Sequence, residues 1–318
     1  MRTIAPIAAG IFALVLGVAA ARADVQMGRY IATGDASIRV DAVATVSHAE
    51  TFLPSTERPN DGYAIVSATI SNRTARRVHQ PTYLFSFSLR NGGSFGGRYE
   101  SDVLGPYVAA SPIASLSDAP ETLAPSETRS VRYIVLNWPR RALEAMTLST
   151  SLGVSLKGSR VGQLIPDYTE SDVPLGNFFS IGDVDLRVDQ VTSHRRKNDD
   201  AITHWPTNQD GVNGYFVAAL TERNAGLNHV VIPNYVLALD FNDGPNAQSR
   251  AYGPFSQRGS GIADRRLGLR SQEHVSWLIT NWVDEAPVVR LSVNPTWRFP
   301  LRGVLTTGLR KSGSTNYR

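Results

Sequence analysis

The chain has no cysteine. That excludes disulfides, thiolate metal sites, catalytic thiols and the acylated cysteine of a lipoprotein. It also lacks any long amphipathic run of helix formers. Val, Ile, Leu, Phe and Tyr come in short bursts separated by Gly, Pro, Asn, Asp and Ser, which is the pattern of a β protein. Charge is sparse, at 19% of residues, and the basic residues do not cluster. Arg76-Arg77, Arg140-Arg141, Arg195-Arg196 and Arg265-Arg266 stand as pairs among acids. A nucleic-acid binder needs its basic side chains gathered on one face, so no nucleic-acid partner is expected. With 318 residues the chain can hold two domains, each large enough to bury a core without disulfides.

The first residues read apart from the rest. Residues 1–23 carry an apolar run that ends in Ala21-Arg22-Ala23, the small-x-small arrangement of a signal-peptidase site. The run is short for a membrane span. Cleavage after Ala23 is expected, leaving no transmembrane segment and a periplasmic or secreted mature chain. Arg2 and Arg22 are the only charges removed, so the formal net charge falls from +4 to +2. The sequon Asn72-Arg73-Thr74 is read as a chance match in such a chain.

From Gly34 onward the sequence repeats itself. Gly34-Asp35-Ala36-Ser37-Ile38-Arg39-Val40-Asp41 returns as Gly182-Asp183-Val184-Asp185-Leu186-Arg187-Val188-Asp189. Gly62 to Asn72 returns as Gly214 to Asn224, and Pro81 to Gly92 as Pro233 to Gly244. Gly105-Pro106 returns as Gly253-Pro254, the segment ending at Trp138 as that ending at Trp282, and Ser155–Gly158 as Pro300–Gly303. The order is kept throughout with small changes of spacing, which is the signature of a tandem duplication.

The repeated segments alternate with period two. Tyr83, Phe85, Phe87 and Leu89 face one way, as do Tyr235, Leu237, Leu239 and Phe241; Asn91-Gly92 and Asp243-Gly244 then supply turn residues. One face of each strand is wetter, which favours antiparallel sheets. The expected fold is all-β, as two tandem immunoglobulin-like antiparallel β-sandwiches. The boundaries read as 24–158 for the first, 159–176 for a linker, 177–304 for the second, and 305–318 for a basic tail.

The strand Gly62–Asn72, the glycine-turned strand Tyr83–Gly93 and the later Tyr133-x-Val135 strand, behind a signal peptide, resemble bacterial secreted immunoglobulin-like domains. These occur in exported antigens and envelope lipoproteins. The resemblance implies a fold and no reaction. It implies a non-catalytic binding or scaffolding protein of the bacterial envelope, with another envelope or extracellular protein or a glycan as partner, and no cofactor.

Two chemical readings compete with that one. Gly92-Gly93-Ser94-Phe95-Gly96 matches the nucleophile elbow of a serine hydrolase, which requires a strand, a strained turn and a helix. No helical period follows it. The loop 193–212 gathers His194, His204, Asp199, Asp200 and Asp210, which could bind a metal or, through its arginines, a small anion. Compact ligand spacing is absent, and Arg195, Arg196 and Lys197 oppose a cation. No metal site is assigned. Residues kept in both copies describe the fold, while residues carried by one copy can carry specificity. On that rule the binding candidates are His194, Arg195, Arg196, His204 and Trp205, in a loop four residues longer than its counterpart. Asn137-Trp138 and Asn281-Trp282 are read as packing pairs.

Overall fold

The computed structural model describes residues 24–46, 61–96, 102–111, 116–155, 172–195, 214–241, 244–245, 250–256, 263, 265–280 and 288–301. The described chain is nearly all β. The first half supplies β1 (Tyr30–Thr33), β2 (Ala36–Val46), β3 (Gly62–Asn72), β4 (Val78–His79), β5 (Tyr83–Leu89) and β6 (Ser94–Gly96). It continues with β7 (Val103–Val108), β8 (Thr122–Leu123), β9 (Thr128–Trp138), β10 (Leu143–Thr150) and β11 (Leu152–Ser155). The second half supplies β12 (Val173–Pro174), β13 (Phe178–Ile181), β14 (Val184–Arg195), β15 (Gly214–Arg223), β16 (Val230–Val231) and β17 (Asn234–Phe241). Then come β18 (Gly244–Pro245), β19 (Arg250–Ser256), β20 (Arg266–Leu267), β21 (Gln272–Thr280) and β22 (Val288–Pro300). The expected signal segment and tail lie outside the described residues.

Two large sheets run through both halves. One has ten strands in the order β19-β21-β15-β14-β13-β1-β2-β3-β9-β7. That order is a palindrome of the sequence repeat, since each strand has its aligned counterpart the same distance from the centre. At the centre Thr33 faces Ile181, the residue the repeat aligns with it. Gly34 N–H donates to Ser180 O and Gly182 N–H to Ala32 O, both at 2.8 Å. The second sheet crosses the same centre: β10 pairs with β22 from Ala145↔Pro300 to Ser149↔Thr296, and β11 from Leu152↔Val293 to Ser155↔Arg290. Under the alignment of Ser155 with Pro300, these registers also map onto themselves. The halves are therefore related by a local two-fold axis through both sheets, and they do not sit as separate beads. Residues 173–174 of the expected linker are strand, with Val154 paired in parallel to Val173.

The core follows from the alternation. Tyr83, Phe85, Phe87 and Leu89 are buried while Leu84, Ser86 and Ser88 are half-exposed; Tyr235, Leu237 and Leu239 repeat this in β17. One continuous cluster joins Ile38, Phe85 and Val131 of the first half to Leu186, Leu237 and Val275 of the second. The outer face of β3 departs from the expected wet face. Tyr63 and Ile65 are buried there with Val46 and Ile134, because Leu104, Tyr107 and Leu116 pack over them.

Repeated polar residues hold repeated irregularities. Asp41 and Asp189 sit where the ladders β2–β3 and β14–β15 shift register. Asp41 accepts from Arg39 Nε at 2.5 Å and from Thr69 Oγ1 at 2.6 Å, while Asp189 accepts from Arg187 and from Thr221 Oγ1 at 2.6 Å. Each carboxylate thereby ties its bulged strand to a threonine hydroxyl of the neighbouring strand. Both Gly-Pro bonds, Gly105-Pro106 and Gly253-Pro254, are cis and lie at register shifts of the outer strands. A side chain on Gly105 would come within 2.8 Å of Arg132 O, which explains why that position has none.

Asn72 is buried, and its amide donates to Arg76 O at 2.7 Å and Ala124 O at 2.8 Å while its carbonyl accepts from Thr74 N–H at 2.9 Å. Asn224 does the same for Asn228, Gly268 and Gly226. The sequon asparagine is thus committed to a turn. Replacing Asn72 by Ala strands buried carbonyls, and a loss of about 2 kcal/mol is expected in denaturant unfolding. Asn137 takes a left-handed φ of 65°, and Trp138 Nε1 donates to Arg141 O at 2.9 Å with its ring half-buried against the core. Asn281-Trp282 lies outside the described residues.

Candidate functional site

The loop candidates fall largely outside what the structure describes. His194 and Arg195 end β14, with backbones paired to Tyr215 and Gly214; Arg196, His204 and Trp205 lie outside the described residues. Ser94 opens β6 on the return of a hairpin, exposed and paired to Ser88. Gly92 N–H closes the turn on Leu89 O at 3.0 Å. A strand follows the turn where the hydrolase motif needs a helix. Among the described residues no group of three or more metal-ligating side chains converges.

A different site emerges at the axis. Each half carries a cleft where its Gly-Asp turn meets the opposite half. In the first half the cleft holds about 320 Å³, with Val78, Pro81 and Leu152 in its lining and Arg76, Arg77 and His79 along its side. The aligned cleft of the second half holds about 60 Å³, because Trp297 stands in it. Leu152 and Trp297 are aligned by the repeat, and the geometry agrees. A Cβ on Gly34 would lie 3.4 Å from Leu152 Cδ2, and one on Gly182 would lie 3.3 Å from Trp297 Nε1. The indole fills what the isobutyl group leaves open.

The polar wall differs in the same direction. Arg76-Arg77-Val78-His79-Gln80 aligns with Asn228-His229-Val230-Val231-Ile232, with no change of length. Arg76 forms an ion pair with Asp35. Arg290, also lining the cleft, pairs with the buried Asp172 at 3.2 Å. That pair crosses directly over β11, where any Cβ on Gly153 would overlap it. Arg77 and His79 are exposed. Arg77 forms no ion pair among the described residues.

Behind the 79–82 segment the first half has a second cavity of about 410 Å³, lined by Tyr83, Tyr133, Pro106 and Glu121. Tyr83 OH and Thr33 Oγ1 are 2.8 Å apart, and Gln80 Nε2 donates to Tyr133 OH at 3.1 Å. Burial pushes both phenols well above their ordinary range, so both stay protonated donors. In the second half Ile232, Trp277 and Arg265 stand at the positions aligned with Gln80, Tyr133 and Glu121. Tyr235 OH donates to Glu222 Oε1 at 2.7 Å, Arg265 Nη1 lies 3.2 Å from the same oxygen, and Trp277 Nε1 donates to Tyr235 OH at 3.3 Å. Burial raises the Glu222 carboxyl above its ordinary value, against the opposing pull of Arg265 and the Tyr235 hydroxyl. Among the described residues the cleft beside Leu152 is thus open in the first half and narrowed by Trp297 in the second.

No protein-family model matches the chain, and no curated protein matches it. Among solved structures it has a distant likeness to an oxalate decarboxylase, at 8% identity over 84% of this chain and 74% of that one, with a TM-score of 0.12. Procruciferin, an 11S globulin from Brassica napus, gives 9% identity over 88% of this chain and 87% of that one, with a TM-score of 0.14. At those scores neither likeness bears on fold or function.

Length differences led sequence reasoning to the 193–212 loop. The junction cleft was missed because its signal is substitution at constant length. The run Arg76 to Gln80 against Asn228 to Ile232 was visible in the alignment. The exchange of Leu152 for Trp297 was visible too, but only the fold places it beside that run.

Proposed function

We propose that the chain is an exported, non-catalytic binding or scaffolding protein of the bacterial envelope. In this reading it is built of two immunoglobulin-like β-sandwiches fused through shared sheets, and it recognises its ligand in the cleft beside Leu152. The observation that carries the reading is the asymmetry of the two clefts. Two aligned places exist, and one is plugged by Trp297 while the other is open and lined by Arg76, Arg77, His79 and Gln80, which the second half replaces, together with Val173 and Arg290 from the second half. Concave sites with a few polar groups on an apolar lining are where small ligands bind. The antiparallel sheets and alternating burial support the sandwich, and the apolar run before Asp24 supports export.

Leu152→Trp copies the plug into the open cleft and provides the test. Protein purified from a bacterial periplasm is expected to carry a bound small molecule in native mass spectrometry, and Leu152→Trp to lose it. An adduct that survives Leu152→Trp sinks the cleft as the site. Turnover of a reporter ester that disappears in Ser94→Ala would replace the binding reading with a hydrolase.

A further inference from the structure

We infer that the junction cleft takes a small organic carboxylate, with its carboxylate held at the Arg77 and His79 side and its apolar body against Val78, Pro81 and Leu152. The inference rests on the cleft being the recognition site and names the ligand class.

Charge comes first. Of the three guanidinium groups that line the cleft, Arg76 is matched by Asp35 and Arg290 by Asp172. Arg77 is exposed and forms no ion pair among the described residues; its charge is felt by Glu127, which is itself paired with Arg129. A guanidinium offers a planar fork of donors that fits a carboxylate in two parallel hydrogen bonds. His79 stands two residues on, also exposed, and supplies a further ring nitrogen.

The lining separates an organic anion from an inorganic one. Phosphate or sulfate is held by converging backbone N–H groups, as in a nest. Here those groups are spent on the sheets: Gly34 N–H donates to Ser180 O and Gln80 N–H to Glu121 O. The lining is mixed: Val78, 7% exposed, and Leu152, 8% exposed, form an apolar floor beside the hydroxyls of Thr82, Thr122 and Ser151. A bare inorganic anion can use the polar side of that lining but has nothing to set against Val78 and Leu152. A carboxylate on a short hydrocarbon body loses water only where the carbons rest. The volume of about 320 Å³ suits a ligand of that size.

The second half supplies the control. Where Trp297 removes the space, the arginine pair is also gone, replaced by Asn228 and His229. The arginine pair and the room are lost together, and the arginine that does line the second cleft, Arg29, is matched by Asp183.

Hexanoate is the probe, with hexan-1-ol as its uncharged counterpart and inorganic phosphate as the anion without an apolar body. Each is titrated by calorimetry into the full mature chain, into Arg77→Gln and into Leu152→Trp, with melting curves confirming that each variant is folded. Hexanoate is expected to saturate the wild type, to bind Arg77→Gln about tenfold more weakly, and not to bind Leu152→Trp. Arg77 is exposed, so its variant keeps the test valid if Leu152→Trp does not fold. Phosphate binding as tight as hexanoate overturns the class in favour of an inorganic anion. Hexan-1-ol binding equal to hexanoate, unchanged by Arg77→Gln, overturns it in favour of an apolar ligand. No saturation by hexanoate at about 10 mM also sinks the inference. In each of these cases a native adduct lost in Leu152→Trp would leave the cleft itself standing as the binding site.

Discussion

Residues 24–158 made without the second half are expected to run as a symmetric dimer and to have no folded monomeric form. The first half alone would expose the strand edges that β13 and β22 cover, and would take β22 away from beside Met146, Leu148, Leu152 and Val154, all buried in the whole chain. Full exposure of four such side chains would cost about 6–12 kcal/mol at roughly 1.5–3 kcal/mol each, which is the upper limit of the loss. That is comparable with the whole stability of a domain. The same surface is self-complementary. Leu148 faces Trp297 and Leu152 faces Val293, and the repeat aligns Trp297 with Leu152 and Val293 with Leu148. Two first halves can therefore pair β10 on β11 across a true two-fold axis, as an isologous contact requires. Light scattering after size exclusion, with circular dichroism on the same fraction, decides it. A folded monomer at micromolar concentration would show that the shared sheets are not needed for folding.

Arg265→Ala is expected to destabilise the protein more than Asn72→Ala does, and to do so chiefly at neutral pH. Glu222 is fully buried, and Arg265 is the cation that matches it. Removing one partner of a buried pair leaves an uncompensated charge, at a cost of about 3–5 kcal/mol. The pH dependence has a definite sign. Burial holds the Glu222 carboxyl above its ordinary value of 4.5, so the folded state binds that proton more tightly than the unfolded state. The resulting stabilisation is complete below 4.5 and is lost as pH rises through the raised folded value. Without Arg265 the carboxyl rises further and the window widens. The deficit of Arg265→Ala should therefore shrink as the pH is lowered from neutral toward 4.5. The first half has Ile70 and Glu121 at the aligned positions, so Glu222→Ile combined with Arg265→Glu should recover most of the loss. Urea unfolding at two pH values measures all three proteins. A deficit of equal size at both would mean that Arg265 acts by packing alone, through its place over the Tyr235 ring.

Much of the local structure was legible beforehand. Tyr83 to Leu89 alternates because a strand turns every second side chain to the same face, and Gly92 takes φ of 83° where a tight turn demands it. Asn72 and Asn224 read as turn residues because a short amide can cap its own backbone. Glu222 did not read as buried. A carboxylate in an apolar alternation can point either way, and the side chains that make its burial tolerable, Tyr235 and Arg265, come from distant segments.

The sequence by itself pointed to a β chain whose segments recur in order, with turns and Gly-Pro pairs at matched places. These are matters of period, φ and hydrogen-bonding capacity within a few residues. Only the tertiary structure decided that the copies share both sheets, because the pairing of Thr33 with Ile181 and of Leu148 with Trp297 is a choice of register between edges that local pattern leaves open. It alone decided which half has room for a ligand. That depends on whether Leu152 or Trp297 stands over a glycine more than a hundred residues away, and volume at a point in space has no representation along the chain.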